Sequence, residues 1–141
     1  MLLTAKAVER GFGEGWFVQS QSPIILGGRS EPERDVCVVR GSPRDFVAAH
    51  PTRPALIVEV AQSGLLLARG RKAAAYARAG IADYWIVNLG DRVLEVHREP
   101  ARPGPARRTW GYLAIDTLGA GATVTPLAAP AVAIRVADLL P

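Results

Sequence analysis

Two apolar runs set the frame of this chain. Asp35 to Arg40 reads Asp-Val-Cys-Val-Val-Arg, and Ala55 to Val60 reads Ala-Leu-Ile-Val-Glu-Val. The second is apolar on both faces except at Glu59, the pattern of a strand in the middle of a sheet. Upstream, Trp16 to Leu26 is β-prone but interrupted by Pro23, which predicts two strand pieces or one bent strand, followed by a polar turn at Gly27 to Arg34. Between the two apolar runs, Gly41 to Pro54 carries three prolines and reads as connection, with at most a short helical turn at Arg44 to Ala49.

Ser63 to Ala79 is the main predicted helix, rich in Ala and Leu, weakened in its middle by Gly70 and closed by Gly80 with Ile81 placed for the hydrophobic contact of a C-terminal cap. Tyr84 to Asn88 and Arg92 to Arg98 form a predicted hairpin around Leu89-Gly90-Asp91. Pro100 to Arg108 reads as a Pro/Arg-rich loop. Trp110 to Ile115 and Ala122 to Thr125 are further candidate strands, and Val136 to Leu140 a closing helical turn. The first fifteen residues hold three glycines without a clear period and are expected to form a loose N-terminal segment, leaving one domain over residues 16–141. Strands, one main helix and a hairpin give an α/β or α+β class with a mixed sheet.

Composition narrows the function classes. With 49% hydrophobic and 21% charged residues the chain is a packed one, and disorder is excluded except at the ends. The longest uncharged stretch, Thr117 to Ile134, is broken by Gly and Pro, which excludes a membrane-spanning helix there. The N-terminus lacks the apolar region of a secretory signal, so a cytoplasmic location is expected. The single cysteine, Cys37, sits within an apolar run and is read as a small buried hydrophobe. The formal charge of +4 permits an anionic partner without requiring one. Fifteen Arg stand against only two Lys, Lys6 and Lys72, so a retained lysine invites a chemical reason.

Three residues carry candidate chemistry. Glu59, an acid in an otherwise apolar strand, must be paired, protonated or bound to a cation. Asp35 opens the other apolar strand. If the two strands are neighbours, their carboxylates form a hard-oxygen site for Mg²⁺ or Mn²⁺, although Asp35 in a turn and Glu59 paired with an interior Arg fit the same pattern. Lys72 falls within about 60° of Leu65, Ala68, Ala75, Tyr76 and Ala79, the helix stripe that faces a sheet. It either snorkels to the rim or meets Glu59, and Arg69 lies on the same side. Two acids and a lysine around a metal suit phosphodiester cleavage.

At these residues the chain resembles the Uma-type putative restriction endonucleases of the PD-(D/E)XK nuclease superfamily. The resemblance spans roughly Trp16 to Pro141 and rests on Glu31-Pro32-Glu33-Arg34-Asp35-Val36, Ile57-Val58-Glu59-Val60, Gly70-Arg71-Lys72 through Tyr76-Ala77-Arg78-Ala79-Gly80-Ile81, and Asp83-Tyr84-Trp85-Ile86-Val87. It implies a restriction-endonuclease-like fold, Mg²⁺ or Mn²⁺ bound by Asp35, Glu59 and the backbone carbonyl of Val60, and Lys72 as the catalytic lysine. The superfamily's usual lysine position, two residues after the acid, holds Ala61. The family commonly has an acid where this chain has Ala68 and another where it has Gln62, and its leading helix with a Tyr-Glu segment is expected to be missing here. The implied activity is metal-dependent hydrolysis of DNA, with a homodimer plausible for cutting two strands. The alternatives are a degenerate relative that binds nucleic acid or a protein partner without cleavage, and a purely structural remnant.

Other residues read as structural. His50 and His97 lack the paired spacing of a zinc site. Tyr84 and Trp85 fit a partly buried strand, and Arg102, Arg107 and Arg108 a solvated basic loop.

Overall fold

The computed structural model describes residues 2–20, 25–26, 29–30, 35–41 and 53–141. The expectations for Gly27, Gly28, residues 31–34 and the connection at 42–52, His50 among them, lie outside the described residues.

The chain opens with α1 (Leu2–Phe12) and β1 (Trp16–Ser20), followed by the short pieces β2 (Ile25–Leu26) and β3 (Arg29–Ser30), which pair with each other. Next come β4 (Val36–Arg40) and β5 (Leu56–Ala61), then a helical stretch of three parts: α2 (Leu65–Leu67), a π-turn over Ala68–Lys72, and α3 (Ala73–Arg78). The hairpin β6 (Asp83–Asn88) and β7 (Val93–Ala101) leads to β8 (Gly111–Leu118), the short pair β9 (Thr123–Val124) and β10 (Ile134–Arg135), and α4 (Val136–Leu139).

Six strands form one mixed sheet in the order β1-β4-β5-β6-β7-β8. Its parallel pair is β5 with β6, and the 65–78 helix is the crossover that such a pair requires. The run of β5, apolar except at Glu59, therefore lies inside the sheet, as its pattern predicts. Alternation then sorts the side chains. Val36, Val38, Leu56, Val58, Trp85 and Val87 pack on one face with Val8 and Phe12 of α1 and with Val136 and Leu139. Cys37, Ile57, Tyr84 and Ile86 pack on the other face beneath Ala68, Ala73, Tyr76 and Ala77. Full burial of each large aliphatic or aromatic side chain stabilises the fold by about 1.5–3 kcal/mol. No described helix is long and apolar enough to cross a membrane.

The helix ends as its sequence predicts: Gly80 takes φ +80°, its N–H donates to Ala77, and the Ile81 N–H donates to Tyr76. These are the two bonds of a Schellman cap, closed by the buried Ile81. Its interior differs from a plain helix. The π-turn widens the ladder around Gly70, a residue that costs a helix about 1 kcal/mol relative to Ala. The Tyr84 hydroxyl donates to the loosened Ala68 carbonyl at 2.8 Å.

Two expectations are corrected. The N-terminal segment is not loose: Ala5, Val8 and Phe12 are buried at helical spacing, and Thr4 donates to the Leu139 carbonyl at 2.8 Å. The glycines that hid this period end the helix, and Gly11 lets it approach Ile134 so closely that a Cβ would sit 2.7 Å from that side chain. A helix thus opens the chain after all, although its sequence holds no Tyr-Glu segment. The Pro/Arg loop begins later than predicted, because β7 continues through Pro100 and Ala101 opposite Tyr112 and Gly111. Pro100 is tolerated there because pairing with β6 stops at Arg98.

On the α1 face, the fully buried Asp83 gathers the Trp85 indole at 2.7 Å, the Arg98 guanidinium at 3.0 Å and the Leu127 N–H at 2.9 Å. Removing one partner of such a buried pair leaves the others unsatisfied. Asp83→Ala is expected to lose about 3 kcal/mol of stability, read as a lower urea midpoint at unchanged m-value.

Candidate active site

β4 and β5 pair antiparallel with Val36 opposite Val58, so the register continues to set Asp35 opposite Glu59 on the helix-facing side of the sheet. The two strands are neighbours, a condition the sequence left open. Asp35 Oδ2 accepts the Val60 N–H at 2.6 Å, which ties the start of β4 to the end of β5.

Glu59 is 2% exposed and meets two side chains of the helix. Lys72 Nζ donates to Oε2 at 3.1 Å, and the Tyr76 hydroxyl donates to Oε1 at 2.6 Å. Lys72 and Tyr76 are four residues apart, one helical turn, so a single face delivers both donors. The Lys72 side chain keeps 24% of its surface, so the ammonium reaches the acid from a solvent-connected side. Of the two readings of this lysine, the structure shows the one in which it meets Glu59.

Burial pushes the Glu59 carboxyl above its usual value. Tyr76 and Lys72 pull the other way, and the charge of Asp35 adds to the upward push. Asp35 and Glu59 supply hard oxygens with lone pairs to spare, and Mg²⁺ and Mn²⁺ sites are built on one or two carboxylates. No cluster of three or more His, Cys, Asp or Glu stands among the described residues, so a metal here would rest on two carboxylates and backbone oxygen.

Sequence reasoning missed the second half of the constellation. Glu59 pairs across the sheet with Ile86, and Ile86 with Glu95, placing two acids in one row two strands apart. Arg69, from the π-turn that carries Lys72, donates to both Glu95 oxygens through Nε at 3.1 and 3.2 Å. Asn88 and His97 lie 3.3 Å from the same carboxylate. Burial opposes the ionisation of Glu95, but the bonds from Arg69, His97 and Asn88 outweigh it and hold its carboxyl below the usual value. Burial also holds the His97 imidazole below its ordinary value. His97 is buried beside Tyr84 and Tyr112, and Tyr84 and Trp85 are fully buried rather than partly so. Alternation along β7 carried the Glu95 and His97 signal, for Glu95-Val96-His97 places both on one face. Gln62 is exposed and Ala68 buried, so neither extra acid of the resembled family has a counterpart here.

Because the Glu59 carboxyl is raised in the fold, its ionisation works against folding. The stability it lends is complete below the unfolded-state value and is lost as pH rises through the folded one. Glu59→Gln keeps an acceptor for Tyr76 and removes the buried charge. The variant is expected to be more stable than wild type at pH 7, with the advantage vanishing towards pH 4, as measured by urea melts across pH.

The Uma2 family, described as "Putative restriction endonuclease", matches residues 2–137. A solved structure described as a putative nuclease belonging to DUF820, from Anabaena variabilis ATCC 29413, superposes with a TM-score of 0.68 at 13% identity, covering 97% of this chain and 77% of that one. This likeness shows the fold alone. No curated protein matches the chain. With nearly its whole length matched, the chain belongs to the Uma2 family of putative restriction endonucleases.

Proposed function

We propose that this protein is a metal-dependent endonuclease that hydrolyses DNA phosphodiester bonds, with Asp35, Glu59 and the Val60 carbonyl as ligands of Mg²⁺ or Mn²⁺ and Lys72 as the catalytic lysine. The single observation that carries this reading is the buried Glu59 carboxylate, faced by Asp35 and bonded to Lys72 from a solvent-connected side. A divalent ion bound there supplies Lewis acidity and a lowered water pKa. Lys72 Nζ holds positive charge at the mouth of the site, where it orients the attacking water and offsets charge that develops on the phosphate oxygens. Tyr76 is a positioning residue: its bond to Oε1 fixes the carboxylate plane, leaving Oε2 directed at Lys72. Attack by the water oxygen on phosphorus breaks the P–O bond to the leaving strand, whose oxygen takes up a proton. A cytoplasmic homodimer, each copy cutting one strand, completes the proposal.

The second reading is a relative that binds nucleic acid or a protein partner without cutting. It is favoured by Gln62 and Ala68, which leave the site with less negative charge to hold a cation.

Cleavage of supercoiled and single-stranded DNA with Mg²⁺ or Mn²⁺ separates the two. Wild type is expected to cut, and EDTA to abolish cutting. Glu59→Ala and Lys72→Ala are each expected to lose at least about a hundredfold in rate, since each removes charge stabilisation at the reacting phosphate. Equal cutting by all three proteins overturns the assigned site. A wild type that binds DNA but does not cut supports the second reading.

A further inference from the structure

On the β8 side of the same π-turn lies an open cleft of about 870 Å³ that the proposed cleavage site leaves unused. Arg69, Gly70, Arg71, Ala73 and Ala74 form one wall, while Lys72, in their midst, turns to Glu59. The far wall is built by Arg107, Trp110 and Gly111. The volume falls in the range of small-ligand sites.

The charges do not cancel. Arg69 is committed to Glu95 on the cleft floor, but neither Arg71 nor Arg107 has an ion pair among the described residues. A Cβ on Gly111 would stand 2.7 Å from Arg107 Nη1, so the guanidinium lies directly over bare backbone next to Trp110. The indole is half-buried against the core and also lines the cleft. Gly70 adds an independent observation. A Cβ there would meet nothing within 4 Å, so no internal packing requires glycine in mid-helix. Its absence leaves bare backbone between two guanidinium-bearing residues, facing the cleft.

We propose that this cleft binds an unpaired nucleotide of the substrate strand, its base stacked on Trp110 and its flanking phosphates on Arg71 and Arg107, with Gly70 letting the chain approach the helix. The proposal rests on the nuclease reading and deepens it by naming the strand form and its subsite. Alternating guanidinium and aromatic surfaces match the alternation of phosphate and base along a single strand. In a duplex the neighbouring bases already cover each base face, so Trp110 is matched to a strand end, a gap or single-stranded DNA.

The test is fluorescence anisotropy in EDTA, where metal-dependent cutting is blocked, with a fluorescein-labelled 20-residue oligo(dT) and a 20-base-pair duplex as probes. Wild type is expected to prefer oligo(dT). Trp110→Ala is expected to weaken oligo(dT) about tenfold or more and the duplex far less. Arg71→Ala with Arg107→Ala, both near the surface, lowers the slope of log affinity against log salt by about 1.4, two phosphates' worth on a single strand. Gly70→Ala is expected to raise the melting temperature by a few degrees while weakening oligo(dT), opposite signs that a purely structural glycine does not give. Oligo(dT) binding unchanged in both the Trp110 and the double Arg variants overturns the proposal, as does competition by a poly-glutamate peptide equal to that by unlabelled oligo(dT). Glu59→Ala and Lys72→Ala separate this inference from the reading beneath it. Metal-dependent cutting that needs both residues, with binding indifferent to Trp110 and to the two arginines, removes the cleft alone. Trp110-dependent binding without any cutting removes the nuclease reading and leaves the cleft.

Discussion

A carboxylate inside a six-stranded sheet is the constraint on which the rest of this structure turns. Glu59 stands on an interior strand, under a helix and out of water. Such a group is costly to ionise unless partners are brought to it. The fold brings two, Tyr76 and Lys72 from the helix above, and sets a second acid, Asp35, opposite on the adjoining strand. Tyr76 and Lys72 offset the burial only in part, and Asp35 adds to it, leaving a carboxyl held above its ordinary value. A sequence selected for stability alone has no use for that arrangement, since a well-packed apolar residue of similar volume is often as good or better. Family membership and the strain on this one group point the same way.

The π-turn decides how the helix meets the sheet. From one widened turn, Arg69 reaches Glu95 on β7 while Lys72 reaches Glu59 on β5, with Ile86 between the two acids. The helix is thereby anchored to two strands of the sheet by two cation–carboxylate pairs, and Tyr84 catches the Ala68 carbonyl that the turn loosens. The pairs differ in character. The donors around Glu95 hold its carboxyl below the ordinary value, which suits an anchor, whereas burial keeps that of Glu59 above it.

The opposite face of the sheet does different work. There Asp83 collects an indole, a guanidinium and a backbone N–H and ties the 123–129 segment to the hairpin, while α1 and α4 pack on apolar residues and are joined through Thr4. Its polar groups are matched to one another, so this face holds the sheet rigid, and the candidate chemistry stands on the side where the matching is incomplete.

The sequence by itself determined the central strand, the main helix with its Gly80 cap and the hairpin, and it singled out Asp35, Glu59 and Lys72, which the fold brings together. All of these rest on local signals: an apolar run, a helical stripe, a turn motif, and a lysine kept in a chain that otherwise uses arginine. The N-terminal helix was as local, but glycines at its end masked a short period. Other features belonged to the tertiary structure alone. Tyr76 reads as packing until the register of β5 puts a carboxylate beneath it. Arg69 and Glu95 are 26 residues apart, and their meeting depends on the strand order of β5, β6 and β7 and on the π-turn that carries Arg69. Spacing along a chain tells which residues share a face, whereas the partner of that face is settled by which strands lie side by side, and that is decided by the burial of the whole sheet at once.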